Sequence, residues 1–485
     1  EQSETDFTYL YAYRKELFSA SKVELFAGEE DGRAVNGSSS VGGRVNYFGY
    51  LSYDFMRKYM SDFTIRHDGS FNFPKGKRFG TFPAVTAGWN ISKEPFMAGI
   101  KGFADNIKFR VSYGEMGNDR IPSYQYLTKY GTGSYYIFGE SPIYNAGMDI
   151  TNVPNTNITW EVAKTLNTGF DAELFNGNLS MSFDYFYEKR RGILITRSES
   201  VPGYTALELP QENLGKVDNS GVELMLNHSK QLGDITYNVG GNFTFNRSKI
   251  VYMDEPPGVP DYQKKEGYPV NSFLAYEADG IFHSQAELDN YPHLAGEVPG
   301  GIKYLDINND GKIDDNDMVR QYSTATPEIQ FGLNLGLQYK GFGLFALFQG
   351  QARATLPFMF NDSGTKPKYL FTERWTPDNP NAKHPRPFQG FDSYQRMSTY
   401  HFNNAAFVRL KNLELSYDLA SERWLQNSFL KRCRLYLRGR NLWTLDYVKH
   451  FDPEAPIITT TGTRPNSARY YPQLKTYSVG INITL

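Results

Sequence analysis

Residues 168–187 read TGFDAELFNGNLSMSFDYFY, and their alternation decides the fold. On the first arm Thr168, Phe170, Ala172 and Leu174 face one way, while Asn167, Gly169, Asp171 and Glu173 face the other. Asn176-Gly177 is the turn signal, because both residues accept positive φ. On the second arm Leu179, Met181, Phe183, Tyr185 and Tyr187 alternate with Asn178, Ser180, Ser182 and Asp184. Strand side chains point to opposite faces with period two, so each arm has one apolar and one polar face. A soluble sandwich shows the same parity. Here strands of about ten residues repeat it along the chain with aromatics near their ends, the pattern of a transmembrane antiparallel β-barrel.

Composition agrees. No stretch of the 485 residues approaches the roughly 18 apolar residues of a membrane helix, and mean hydropathy is polar at -0.53. A barrel needs no such stretch, since only every second residue meets lipid. Aromatics make up 15% of the chain, with 35 Tyr and 35 Phe, an excess that suits interfacial girdles and stacking surfaces. A net charge of -2 gives no electrostatic case for nucleic acid. One cysteine, Cys433, excludes a disulfide framework and a cysteine-based zinc site. Residue 1 is Glu and strand-rich sequence follows almost at once, which favours reading the chain as the C-terminal part of something longer.

Short turns and long connections alternate, as in outer-membrane barrels. Short turns are expected near Arg57-Lys58, Asp105-Asn106, Asn176-Gly177, Gly233-Asp234 and Lys340-Gly341, with a slightly longer one near Gln426-Asn427. Long Gly/Asn/Pro/Tyr-rich connections are expected at 116–157, 190–219, 248–326, 351–404 and 446–474. Strand candidates are 41–55, 59–67, 79–91, 107–115, 221–229, 235–245, 330–339, 342–350, 406–419, 432–445 and 475–485. With the opening hairpin and a segment near Lys22–Phe26, the count is roughly 14. In the last strand Tyr477, Val479, Ile481, Ile483 and Leu485 share one face, and Ser478, Gly480, Asn482 and Thr484 the other.

Several segments carry a family resemblance. KRFGTFPAVTAGWNIS (77–92), IKFRVSYGEMGN (107–118) and NITWEVAKTLNTGFDAELFNGNLSMSFDYFYEK (157–189) resemble consecutive barrel segments of the SusC/RagA family of TonB-dependent outer-membrane transporters. NLGKVDNSGVEL (213–224), EGYPVNSFLAYEADGIF (266–282) and FVRLKNLELSYDL (407–419) follow in the same order. The resemblance implies a barrel of about 22 strands with a plug in its lumen. Residues 1–485 would be the C-terminal portion of its wall, with the energy-coupling box and plug outside this sequence. It also implies import of an oligomeric nutrient, glycan or peptide, across a Gram-negative outer membrane. A SusD-like surface lipoprotein would act as lid and TonB as energy source. The terminal Leu485 departs from the aromatic usual in such barrels.

One motif carries chemistry without the resemblance. Asp306-Ile307-Asn308-Asn309-Asp310-Gly311-Lys312-Ile313-Asp314-Asp315-Asn316-Asp317 reads as a D-x-N-x-D-G calcium loop in the 248–326 connection. Asp306, Asn308 and Asp310 supply side-chain oxygens, Lys312 its backbone carbonyl, and Gly311 the sharp turn. Asp314 stands at position 9, where ligation often runs through water. Asp317 takes the place of the usual Glu, and its shorter arm weakens bidentate ligation; the expected ion is Ca²⁺, with the smaller Mg²⁺ as the alternative. An Asn/Asp/Gly-rich turn also forms without metal. The expected role is structural, pinning the outer connection. The family tends to carry such a loop here.

On residues 433–440, Arg434, Tyr436, Arg438 and Arg440 share a face opposite Cys433, Leu435 and Leu437, either as ordinary polar lining or as a site for a plug or an anionic group. Aromatics from Tyr124 to Tyr144 suit stacking on sugars, packing of the loops, or seating a partner. No H-E-x-x-H pair, G-x-S-x-G elbow, Walker loop or dinucleotide fingerprint is present, so no catalysis is assigned. A passive porin-like channel and a soluble glycan-binding β-protein are the alternatives to an importer.

Overall fold

The structure is a computed structural model describing residues 1–15, 31, 33–138, 143–197, 209–360, 367–387, 393–419, 432–448, 450–457 and 470–484. Fourteen strands form one antiparallel sheet in sequence order. They are β1 (Gln2–Tyr13), β2 (Ala34–Phe55), β3 (Tyr59–Ser70), β4 (Phe79–Asn90), β5 (Ala104–Asn118), β6 (Glu161–Leu174) and β7 (Leu179–Thr196). Then come β8 (Gln211–Leu232), β9 (Ile235–Tyr252), β10 (Ile329–Tyr339), β11 (Phe342–Ala352), β12 (Phe407–Asp418), β13 (Arg432–Asp446) and β14 (Thr476–Thr484). Each strand pairs with its sequence neighbours; among the described residues β1 pairs only with β2 and β14 only with β13.

Register confirms the two faces. In the β6–β7 hairpin Phe170 lies opposite Phe183, Ala172 opposite Met181 and Leu174 opposite Leu179. Gly169 faces Asp184 and Asp171 faces Ser182 on the other side. The parity carries across the sheet: Leu344 meets Leu415, which meets Leu437, which meets Val479. These apolar residues are solvent-exposed rather than packed on protein, as are Leu51, Phe63, Val85 and Phe109. A continuous apolar surface of this extent exceeds what a soluble protein leaves uncovered. It is the face that lipid covers.

Local structure departs from the sequence reading at four places. The β6–β7 turn has four residues, Phe175–Asn178, not a two-residue Asn-Gly turn. Phe175 and Asn176 take φ of 57° and 56°, and Gly177 of 76°. Phe175 is held out of the strand by its N–H bond to Phe103 (3.0 Å) and an edge-on ring contact with Phe103 at 5.1 Å. Asp105-Asn106 lies inside β5 rather than at a turn; the β4–β5 connection is 91–103, built on 3₁₀ turns at Ile91–Lys93 and Pro95–Ile100. Asp105 serves the neighbouring turn, its carboxylate accepting the Gly177 N–H at 3.0 Å. Gln2–Tyr13, not among the strand candidates, pairs with β2 along its length. Finally, β8 has 22 residues and β9 18, so the connections at 190–219 and 248–326 begin or end inside strands. At Gly233-Asp234 and Lys340-Gly341 the turns are the two-residue ones expected. Lys340 and Gly341 take φ of 44° and 86°, which matches the twist of the flanking strands. The segment near Lys22–Phe26, the turn near Gln426-Asn427 and Leu485 lie outside the described residues.

The long connections are folded. Leu274–Tyr276 pairs with Met318–Arg320, Ala278–Ile281 with Ile302–Tyr304, and Thr355–Pro357 with Phe402–Asn404. In the 248–326 connection Tyr276, Ile302, Tyr304 and Ile313 are buried together, with Tyr394 and Tyr400 of the 351–404 connection packed against them. The Tyr276 and Tyr304 rings stack at 4.7 Å. Lys129–Phe138 and Ile143–Asn152 form a further hairpin within 116–157.

Candidate functional site

The face opposite the apolar one is polar and ion-paired. Arg110, on β5, donates to both carboxylate oxygens of Asp171 on β6 (2.8 and 3.0 Å) and of Asp184 on β7 (3.0 Å each). Ser182 also donates to Asp171 at 2.9 Å. One guanidinium therefore ties three strands, and planar bidentate bonds to carboxylates are the stronger kind. Arg190 pairs with Glu161 and Glu188 on this face, while Arg191–Asp218 and Lys164–Glu115 take the parity of the apolar face, at the ends of its strands. Across the sheet Arg434 and Arg438 both reach Glu414 of β12. Arg434, Tyr436 and Arg438 thus share the polar face, as their spacing indicated, while Cys433 is buried and Leu435 and Leu437 face outward. This is the composition a water-filled pore lining takes when every second residue turns away from lipid.

A second feature closes over the sheet's end. Arg409 of β12 donates to Asp452 (2.8 Å), to Glu454 and to Thr444 (3.0 Å). Asp452 accepts the N–H of Gln473 and Glu454, and Lys411 reaches Glu454 and Gln473. Beside this knot Leu356, Phe358, Ala405, Val448 and Ala455 form a small core. Burial alone pushes Asp452 up, but the two backbone N–H groups and Arg409 outweigh it and hold its carboxyl below the usual range. Sequence reading did not single out Arg409, Asp452 or Glu454. Their partners lie more than 40 residues apart, and no local pattern marks them.

In the acidic loop Asp306 accepts the N–H of Asp310 (3.2 Å) and Gly311 (2.9 Å), Asn308 that of Asp310, and Asp310 that of Lys312. Gly311 takes φ of 81°. Asp317 is fully buried, its two oxygens accepting N–H from Ile307 (2.9 Å) and Asp314 (2.8 Å). Asp306, Asn308 and Asp310 are thus on one turn, with Asp317 behind it as a staple. Among the described residues no three His, Cys, Asp or Glu side chains are gathered closely enough to hold a metal ion. Of the Tyr124–Tyr144 aromatics, Tyr124 donates to the Val41 carbonyl and Tyr126 to that of Phe71, so these two pack the connection against the sheet. Residues 139–142 lie outside the described residues.

The family model "TonB dependent receptor-like, beta-barrel" matches residues 6–442. The chain belongs to the TonB-dependent receptor β-barrel family. TonB-dependent receptor P3 of Formosa agariphila is 30% identical over 90% of this chain and 45% of its own length. TonB-dependent receptor SusC of Bacteroides thetaiotaomicron is 26% identical over 90% of the chain and 43% of its own. The structure titled RagAB peptide importer in the closed-closed state superposes with a TM-score of 0.76 at 25% identity, covering 99% of this chain and 52% of that one. This TonB-dependent receptor barrel therefore spans about half the length of the relatives it matches. The family is an outer-membrane one, and these relatives are receptors and transporters rather than enzymes.

Proposed function

We propose that the chain forms wall and outer connections of an energy-coupled importer of oligomeric nutrients, glycan or peptide. One observation carries the reading: the apolar face is uncovered and the opposite face is lined by paired charges from β5 to β13, as a water-filled conduit through lipid requires. The peptide option draws on the RagAB likeness. A surface lipoprotein of the SusD type would seat on the folded outer connections, and TonB would act through a plug outside this sequence. Uptake of labelled glycan and peptide oligomers by cells making the whole receptor tests this. Uptake that stops when TonB is deleted supports it; uptake indifferent to TonB indicates a passive channel instead.

We also propose that the Asp306–Asp317 loop binds Ca²⁺, or Mg²⁺ in its place, structurally. The donor chemistry fits, since Asp306, Asn308 and Asp310 present oxygens from one turn with Gly311 at its bend. Closing on an ion requires Asp306 and Asp310 to exchange bonds to the turn's own N–H groups for the metal, with the Lys312 carbonyl joining them. Asp317, stapled behind, would have to contribute from its present place.

A further inference from the structure

We propose that the polar face of β13 binds an anionic group, carboxylate or sulfate, carried by the transported oligomer; the proposal rests on the import reading above. The argument starts from charge stoichiometry. Elsewhere on this face two arginines have two carboxylates each: Arg110 has Asp171 and Asp184, and Arg190 has Glu161 and Glu188. On β13 the ratio reverses. Arg434, Arg438 and Arg440 face two carboxylates: Glu414, shared by Arg434 and Arg438 at 2.7 and 2.5 Å, and Asp418, opposite Arg434 in register. Arg440, the next position on the same face, is exposed, makes no ion pair among the described residues, and has neutral Asn412 and Thr476 beside it in register.

The geometry leaves that excess accessible. Tyr436, between Arg434 and Arg438, leans across onto β14, where a side chain at Gly480 would meet its ring at 2.3 Å. The Arg438 guanidinium lies 5.3 Å from the centre of that ring. Arginines two and four residues apart on a strand stand roughly 7 and 13 Å apart along it, so successive anionic groups of one oligomer can be passed between them. A conduit needs such sites to be several and individually weak, so that cargo enters and still leaves. Guanidinium suits carboxylate and sulfate because its fork meets two oxygens at once, and a cleft walled by low dielectric focuses the excess field.

The test uses the whole receptor, purified and also expressed in cells, with three anionic probes: oligogalacturonate, an oligoglutamate peptide and a sulfated chondroitin oligosaccharide. Their neutral counterparts are the methyl-esterified or desulfated forms. At about 150 mM salt, at least one anionic probe binds the receptor more tightly than its neutral form, and Arg440→Gln weakens that binding about tenfold. Arg440 holds no carboxylate among the described residues, so this variant keeps its heat-modifiable migration, and Arg438→Gln provides the second variant. Equal binding of charged and neutral forms overturns the proposal, as does anionic binding that Arg440→Gln and Arg438→Gln leave unchanged. Loss of barrel stability in Arg440→Gln with probe binding intact also overturns it, because Arg440 would then serve a carboxylate of the receptor itself. If no oligomer of either charge enters cells, the import reading fails instead, whatever the binding result.

Discussion

Arg409 and Asp452, 43 positions apart, meet at 2.8 Å with side chains only 5% and 3% exposed. The pair joins a wall strand to the 446–474 connection, and neither partner has water to fall back on. Removing one partner of a buried pair leaves an uncompensated charge, which costs about 3–5 kcal/mol. Arg409→Met should therefore lower the urea midpoint of the folded receptor and expose 450–457 to protease. Unchanged protease resistance would show that the small core beside the pair holds the connection unaided.

The same site sets an acid limit. Asp452 has its folded pKa depressed, so the stability it adds is present above the unfolded carboxyl range, near 4, and is lost as pH falls through the folded value. Hydrogen exchange at Gln473 N–H, which Asp452 accepts, should stay protected from neutral pH down to about 5 and open only in stronger acid. Opening between pH 6 and 8 would contradict the assignment.

Arg110 ties β5 to β6 and β7 through two carboxylates, with its side chain 27% exposed. Arg110→Met leaves Asp171 and Asp184 facing each other without a cation. A loss of about 1.5–3 kcal/mol is expected, read as a lower unfolding midpoint. Adding Asp184→Asn to that variant should recover part of the loss, because it removes the repulsion.

Gly221 of β8 is a steric requirement rather than a flexible point. A Cβ there would stand 2.2 Å from the Phe245 carbonyl and 2.6 Å from the Phe186 ring. Gly221→Ala should destabilise by about 1–3 kcal/mol, whereas Gly49→Ala, whose nearest neighbour is 3.4 Å away, should be near neutral. Equal midpoints for the two variants would place the local packing in error.

Tryptophans report the two faces. Trp443 is 48% exposed on the outward side, and Trp160 is 9% exposed among Phe73, Phe82 and Ile158. In vesicles of brominated lipid, a receptor whose sole tryptophan is Trp443 should be strongly quenched, and one retaining only Trp160 barely so. The reverse order would remove the lipid-facing wall.

If the acidic loop holds Ca²⁺, chelation should speed proteolysis within 248–326, and Asp310→Ala should behave as the chelated protein does with or without added calcium. Identical cleavage with and without chelator would discard the metal reading and leave the turn held by its own N–H bonds.

Thirteen of the fourteen strands, and the facing within them, were legible in the chain because period two is a local property: each residue's side is set by its neighbours one and two positions away. That is why Phe170 and Val479 fall on the apolar face by sequence alone, and why Arg434, Tyr436 and Arg438 are placed together. Boundaries were less legible, since β8 and β9 continue past their apolar segments into polar sequence that pairs equally well once a neighbour is present.

What only the tertiary structure decided lies at longer range. The folding of the 248–326 connection on Tyr276 and Tyr304, the Arg409–Asp452–Glu454 knot and the sharing of Glu414 by two arginines each join residues with no common local pattern. A parity rule says which way a side chain points, but partnership of buried charges depends on which distant groups arrive within about 3 Å. That is settled by the packing of the whole sheet and its connections, not by any one strand.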